Sequence, residues 1–153
     1  MSYVKEYYDY PFNTKIKSIS WIFMNKLHRE ADLPAQILFY ESNFENRHKE
    51  IWVENGKVSR LDKSAIIEFY EKDSPFEPTV IKQKEWFVDD VRHRDYDKPA
   101  IVEYYKNGTI KNEEWYVHGY HTKGVNSPLL KNKESEQNCC LNLIDCISCI
   151  FFR

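Results

Sequence analysis

Tryptophan occurs four times in this chain, as Trp21, Trp52, Trp86 and Trp115, at intervals of 31, 34 and 29 residues, and the residues around each follow one pattern. Seven and eight positions on stand His28-Arg29, Ser59-Arg60, His93-Arg94 and Thr122-Lys123, so the eighth position is basic every time. Thirteen positions on stand Pro34, Pro99 and Pro128, with alanine next in Pro34-Ala35 and Pro99-Ala100; the second copy has Ser64-Ala65 one place earlier. An aromatic pair closes each copy, Phe39-Tyr40, Phe69-Tyr70 and Tyr104-Tyr105, and Tyr7-Tyr8 precedes Trp21 in the same relation. A pattern of this length, written about four times, predicts stacked supersecondary elements, none able to bury its apolar face alone.

Ala100 to Val117 shows what one element is. Ile101, Glu103 and Tyr105 alternate with Val102 and Tyr104; Asn107-Gly108 follows, a dipeptide tolerant of positive φ at both turn positions; then Lys111, Glu113, Trp115 and Val117 alternate with Ile110, Glu114 and Tyr116. Period two on both sides of a turn signal is a β-hairpin. Asn55-Gly56 and His118-Gly119 mark a further turn after a tryptophan, followed by an irregular arm that bears the basic residue, an aspartate (Asp32, Asp62 or Asp97) and, in most copies, proline. The expected fold is therefore mainly β: an antiparallel hairpin meander over residues 1–130, one extended or curled sheet with Trp21, Trp52, Trp86, Trp115, Tyr40, Tyr70 and Tyr105 as its recurring core.

Residues 131–153 read as a polar connector and a C-terminal amphipathic helix, because Cys140, Leu143, Ile144, Ile147, Ile150 and Phe151 fall at helical spacing, with Asn138 as N-cap. The expected role of that helix is to cover an open face or end of the sheet. All four cysteines, Cys139, Cys140, Cys146 and Cys149, lie there, and several readings compete: buried inert thiols, lipidation on an amphipathic helix that brings the chain to a membrane, disulfides, or a zinc site completed by His118 and His121. Inert thiols are the favoured reading, and no metal or cofactor is expected.

The His28-Arg29 and His93-Arg94 pairs have the chemistry to contact an anion or a partner. Histidine gives way to Ser59 and Thr122 in the other copies, which favours a structural bracket in which Arg29 pairs with Asp32, Arg60 with Asp62 and Arg94 with Asp97. Glu50, Glu85, Glu113 and Glu114 recur beside tryptophan with lysines interleaved, a pattern expected of solvated strand faces rather than of a convergent acid pair. Four glycines exclude a phosphate cradle, and no nucleophile elbow or metalloprotease helix occurs. Basic residues number 22 against 24 acidic, a formal charge of -2, so no field draws in nucleic acid. Residues 1–15 hold no apolar signal segment and no apolar run reaches the roughly 18 residues of a membrane span, so a soluble intracellular chain is expected.

The string from Trp86 to Tyr105, with His93-Arg94, Asp97, Pro99-Ala100 and Tyr104-Tyr105, and then Asn107-Gly108 and Glu113-Glu114-Trp115, resembles the MORN-like repeats of proteins from large DNA viruses of amoebae, which are similar to repeats of bacterial antitoxin-like proteins. The resemblance covers about Tyr7 to Pro128. It implies a β-hairpin array without catalytic residues, acting in protein or lipid interaction or in virion structure. Three classes of function follow: a non-catalytic interaction or structural module that binds a protein partner or self-assembles, a toxin-neutralising binding protein, and a peripheral membrane protein. The first is the leading expectation. The segment Asp73 to Pro78 is longer than its counterparts and reads either as a contact loop or as drift.

Overall fold

The computed structural model describes residues 1–9, 15–42, 46–95 and 98–122; the C-terminal segment from Lys123, with the expected helix, Pro128 and all four cysteines, lies outside the described residues, as does Asp97. The strands are β1 (Ser2–Tyr7), β2 (Ile16–Phe23), β3 (Lys26–Leu27), β4 (Gln36–Phe39), β5 (Arg47–Ile51), β6 (Val53–Glu54), β7 (Lys57–Val58), β8 (Ile66–Phe69), β9 (Ile81–Glu85), β10 (Phe87–Val88), β11 (Val91–Arg92), β12 (Ile101–Tyr104), β13 (Ile110–Val117) and β14 (Tyr120–Thr122). The long strands form one antiparallel meander in the order β1-β2-β4-β5-β8-β9-β12-β13-β14, with β3 against β2 and with β6-β7 and β10-β11 as separate two-stranded ribbons. Among the described residues no helix is long and apolar enough to cross a membrane.

Register explains the strands. Ser20, Gln36, Ile51, Ile66, Glu85, Ile101 and Glu114 line up across the sheet, and beside them run Ile19, Ile37, Glu50, Ile67, Lys84, Val102 and Glu113 on the opposite face. Both rows are rich in β-branched residues at their centre, so burial is shared between two faces of a single layer. Ile37, Ile101 and Val102 are buried, yet no large described side chain is fully closed off from water. A core this thin leaves much of the cohesion to the backbone and to side chains that bridge neighbouring segments.

The alanines of the sequence pattern are where that cohesion concentrates. Ala35, Ala65 and Ala100 are each 0% exposed. Their carbonyls accept the N–H of Trp21, Trp52 and Trp86 at 2.8, 2.8 and 2.9 Å, and their N–H groups donate to Ile51, Glu85 and Glu114 at 2.9, 2.8 and 2.8 Å. Each alanine is therefore clamped between two neighbouring strands, and only a methyl group fits. The tyrosines bridge in parallel on the far side. Tyr8 donates its hydroxyl to the Phe39 carbonyl at 2.7 Å, Tyr40 to that of Phe69 at 2.8 Å, and Tyr70 to that of Tyr104 at 2.8 Å, so each reaches the residue before the next tyrosine. Burial raises the pKa of Tyr8 and of Tyr40. Tyr105, at the end of this series, is 51% exposed. A register shift falls at the same place in each hairpin, at Glu6/Tyr7, Leu38/Phe39, Glu68/Phe69 and Glu103/Tyr104, which adds twist.

The turns are of two kinds. Asn55-Gly56 and His118-Gly119 have positive φ at both positions, and so do Met24-Asn25 and Asp89-Asp90, where no glycine announces a turn. These four close the small hairpins β6-β7, β13-β14, β2-β3 and β10-β11, whose two-residue loops match the strand twist. Asn107-Gly108 differs from the expectation: only Gly108 has positive φ, at 82°. The loop is a three-residue one, with Gly108 N–H and Tyr105 N–H closing on Tyr105 and Thr109 carbonyls and the Asn107 side chain accepting from Thr109 at 3.0 Å. The bulge beside Tyr104 accounts for the extra residue.

One edge of the sheet is β1, with all six residues exposed. Tyr3 stands five residues before Tyr8, as Ala35 stands before Tyr40, and Lys5 lies in the row of Ile19 and Ile37. A further strand laid on β1 in the same manner would bury an ammonium and displace a phenol ring, which protects the edge from added strands.

Three substitutions probe these bridges. Ala65→Leu forces a side chain into a space sized for a methyl and is expected to cost about 1–3 kcal/mol, read from urea unfolding. Tyr40→Phe removes one bridging bond and is expected to cost about 0.5–1.5 kcal/mol in the same assay, whereas Tyr105→Phe, at the exposed end, is expected to change nothing measurable.

Candidate functional site

Beyond each tryptophan the chain makes its small hairpin and returns through the arm that carries the recurring basic residue. The arginine of that arm folds back over its own tryptophan: the guanidinium carbon of Arg29 lies 3.7 Å from the Trp21 ring centroid, Arg60 3.8 Å from Trp52 and Arg94 3.7 Å from Trp86. Each also donates to the carbonyl just before the buried alanine, Arg29 to Pro34 at 3.2 Å, Arg60 to Ser64 at 3.2 Å and Arg94 to Pro99 at 2.9 Å. Stacking on indole and a fork of donors are what arginine offers and lysine does not. Trp115 is half-buried, and its basic counterpart Lys123 lies outside the described residues.

Of the brackets expected from sequence, Arg94 with Asp97 lies outside the described residues, and Arg60 takes Asp32 in place of Asp62. Asp32 pairs not with Arg29 but with the next segment: Arg60 Nε and Nη2 donate to its two oxygens at 2.6 and 3.0 Å, and Lys63 Nζ at 2.5 Å. Its carbonyl accepts from Trp52 Nε1 at 3.1 Å. Ala31 and Asp32 both have positive φ, at 61° and 53°, and this reversal goes with Asp32 meeting the following segment rather than its own arginine. Arg60 is thereby committed to Asp32, and Asp62 enters no ion pair among the described residues. The hydrogen bonds from Arg60 and then Lys63 hold the Asp32 carboxyl well below the usual carboxylate range.

Each histidine of the His-Arg pairs serves as a joint between small hairpins. His28 Nδ1 accepts the Asn55 N–H at 3.2 Å and His93 Nδ1 accepts that of His118 at 3.2 Å, while the His93 and His118 rings stack 4.4 Å apart at 9°. Where Ser59 replaces histidine, Asp90 Oδ1 accepts the Val58 N–H at 2.6 Å instead. Alongside runs one backbone bond per junction, from Gly56 to Leu27, Asp90 to Val58 and Gly119 to Arg92, each at 2.9 Å.

The acids also depart from expectation. Glu50 and Glu85 are buried, at 8% and 7% exposure, because their rows place them among Ile37, Ile67, Ile66 and Ile101. Arginine accompanies each: Arg47 binds Glu50, and Arg92 binds Glu85 at 2.9 and 3.1 Å. Glu68 is pushed up by burial, but hydrogen bonds from Lys82 and Lys49 outweigh it and leave the pKa lowered. Among the described residues no group of three His, Cys, Asp or Glu is placed to hold a metal, and no buried side-chain polar atom lacks a partner. His121 packs edge-on against Tyr116 at 5.1 Å. The Asp73–Pro78 loop is tied to the loop between β12 and β13 by Lys106 on Asp73 at 3.1 Å and presents Phe76 at 96% exposure.

Two grooves lie along the hairpin margin, each between the arm of one segment and the tryptophan and small hairpin of the next. One, of about 310 Å³, is bounded by His28, Asp32, Leu33 and Trp52; the other, of about 560 Å³, by Leu61, Asp62, Trp86 and Arg94. They share Glu54, Ser59, Arg60 and Leu61 and so lie side by side. Leu61 is 87% exposed at the shared wall, a contact candidate that no periodicity in the sequence singles out. No family model, curated protein or solved structure matches the chain.

Asp32→Asn tests the junction. Because the folded-state carboxyl is depressed, its contribution is complete above the ordinary aspartate range near pH ~4 and is lost progressively as pH falls from there towards the lower folded-state value. The wild type is expected to unfold at higher urea than the variant at pH 7, with the gap closing in acid below that range.

Proposed function

We propose that the chain is a non-catalytic repeat module for protein interaction or structural assembly, of the MORN-like kind that its tryptophan-centred pattern resembles. What supports this is how the chemically capable groups are employed. The arginines sit on indole rings and carbonyls, His28 and His93 accept backbone N–H groups, and Glu50 and Glu85 are matched by arginines within the sheet. What the hairpin margin presents instead is relief: two adjacent grooves with Leu33 and Leu61 standing out of their walls. Exposed leucine beside the half-buried Trp86 is the composition of a contact patch. The setting that the MORN-like resemblance favours is a viral particle or replication compartment. The single observation that carries the reading is the exposure of Leu61 where the two grooves meet.

Affinity isolation from native material, with cross-linking to locate contacts, tests it. A defined protein partner or a second copy is expected, cross-linked through Lys57, Lys63 or Lys98 of the margin, and Leu61→Asp is expected to abolish recovery while leaving the urea midpoint in place. A chain recovered alone, or recovery indifferent to Leu61→Asp, contradicts the reading.

A further inference from the structure

Taking up the assembly half of that reading on a surface apart from Leu61, we propose that the two ends of the sheet fit one another, so that β1 of a second copy of this chain adds to β13 head to tail and carries the array on from chain to chain. β13 is the open side. β14 takes up Trp115, Tyr116 and Val117, whereas Asn112, Glu113 and Glu114 have β12 beside them and no strand opposite among the described residues. Their counterparts before Trp86, which are Gln83, Lys84 and Glu85, hold the next long strand, β12, as well as β8. A strand in that place runs into an aromatic pair, and β1, running into Tyr7-Tyr8, is the strand of this kind with no neighbour on one side among the described residues.

Three series that cross the sheet stop at its ends, and each end supplies what the other lacks. The tyrosine bridges run from Tyr8 through Tyr40 and Tyr70 and leave Tyr105, whose hydroxyl meets no acceptor among the described residues; the carbonyl next in line is that of Tyr7 in a following copy. The turn bonds from Gly56 to Leu27, Asp90 to Val58 and Gly119 to Arg92 continue from the Asn25 N–H of the following copy to the His121 carbonyl, which stands after Trp115 as those three acceptors stand after their own tryptophans. The row that begins with Lys5, Ile19 and Ile37 ends with Val102 and Glu113, and the register of the inner junctions, where Lys84 faces Val102, sets Glu113 opposite Lys5 of the following copy. Neither Lys5 nor Glu113 enters an ion pair among the described residues. Lys5 and Tyr3 turn away a strand that sets an apolar residue against the ammonium; β13 sets a carboxylate there, and the Tyr3 ring, 60% exposed, can turn aside. Because the contact joins two different patches, it repeats beyond two chains.

The test follows the mass of the full chain by sedimentation velocity over a concentration series. Growth past a dimer as concentration rises is expected, and added salt weakens it. Lys5→Glu and Glu113→Lys each set like charges against one another and are expected to raise the concentration needed for growth about fivefold or more. An equimolar mixture of the two variants, or both changes in one chain, is expected to restore growth, because every junction then meets opposite charges. Tyr105→Phe is expected to weaken growth several-fold. Unchanged urea midpoints verify that the variants fold. A chain that stays monomeric, whether its own C-terminal segment or nothing covers β13, overturns the proposal, and so does growth that stops at a dimer, ignores both charge reversals or is not restored in the mixture. Leu61→Asp is expected to leave growth as it is; should growth fail while partner recovery still depends on Leu61, the interaction reading stands and only this junction falls.

Discussion

Three fully buried alanines tie the segments of this sheet to one another through their backbones. Ala35, Ala65 and Ala100 each give a carbonyl to one neighbouring strand and an N–H to another with no exposed surface. The carbonyl immediately before each is the one that the stacked arginine finds. Arginine, tryptophan and alanine thus act as one connected seam: the close approach brings the carbonyl within reach, the carbonyl orients the guanidinium, and the guanidinium covers the indole. On the other margin the tyrosine hydroxyls make the matching bond from segment to segment. A single-layer sheet with no fully buried large side chain needs such ties, because hydrophobic burial per strand is small.

The strand and turn pattern was legible because period two and Asn-Gly or His-Gly leave direct marks on a sequence. Met24-Asn25 and Asp89-Asp90 adopt the same turn without glycine, since the flanking strands of a two-residue loop impose positive φ on whatever residues stand there. Asn107-Gly108 looked like another of these and is not, because the extra residue at the Glu103/Tyr104 bulge changes the loop length, which no local dipeptide reveals. Arg60 was recognisable as a bracket, but its aspartate lies 28 positions earlier, and sequence proximity favoured Asp62. Glu50 and Glu85 read as solvated because the pattern near tryptophan is half charged; register, which places isoleucines on either side of them, decides otherwise.

The margin shows how a repeated motif misleads about chemistry. Histidine followed by arginine suggests an anion site, yet fold geometry employs both groups before any ligand arrives: His93 as an acceptor stacked on His118, Arg94 as a lid on Trp86. What is left for recognition comprises side chains that the pattern does not repeat, Leu61, Glu54 and Asp62 among them. A structural device that recurs and a contact surface that varies allow one architecture to meet different partners.

The central claim is that the recurring arginine belongs to its tryptophan. A double-mutant cycle on Arg60 and Trp52, using Arg60→Leu, Trp52→Leu and the pair, measures that directly from urea unfolding. A coupling energy of about 0.5–2 kcal/mol is predicted, the range of a partly desolvated cation over an indole face. Additive losses, with no coupling, would contradict it and leave Asp32 and the Ser64 carbonyl as the partners that hold Arg60.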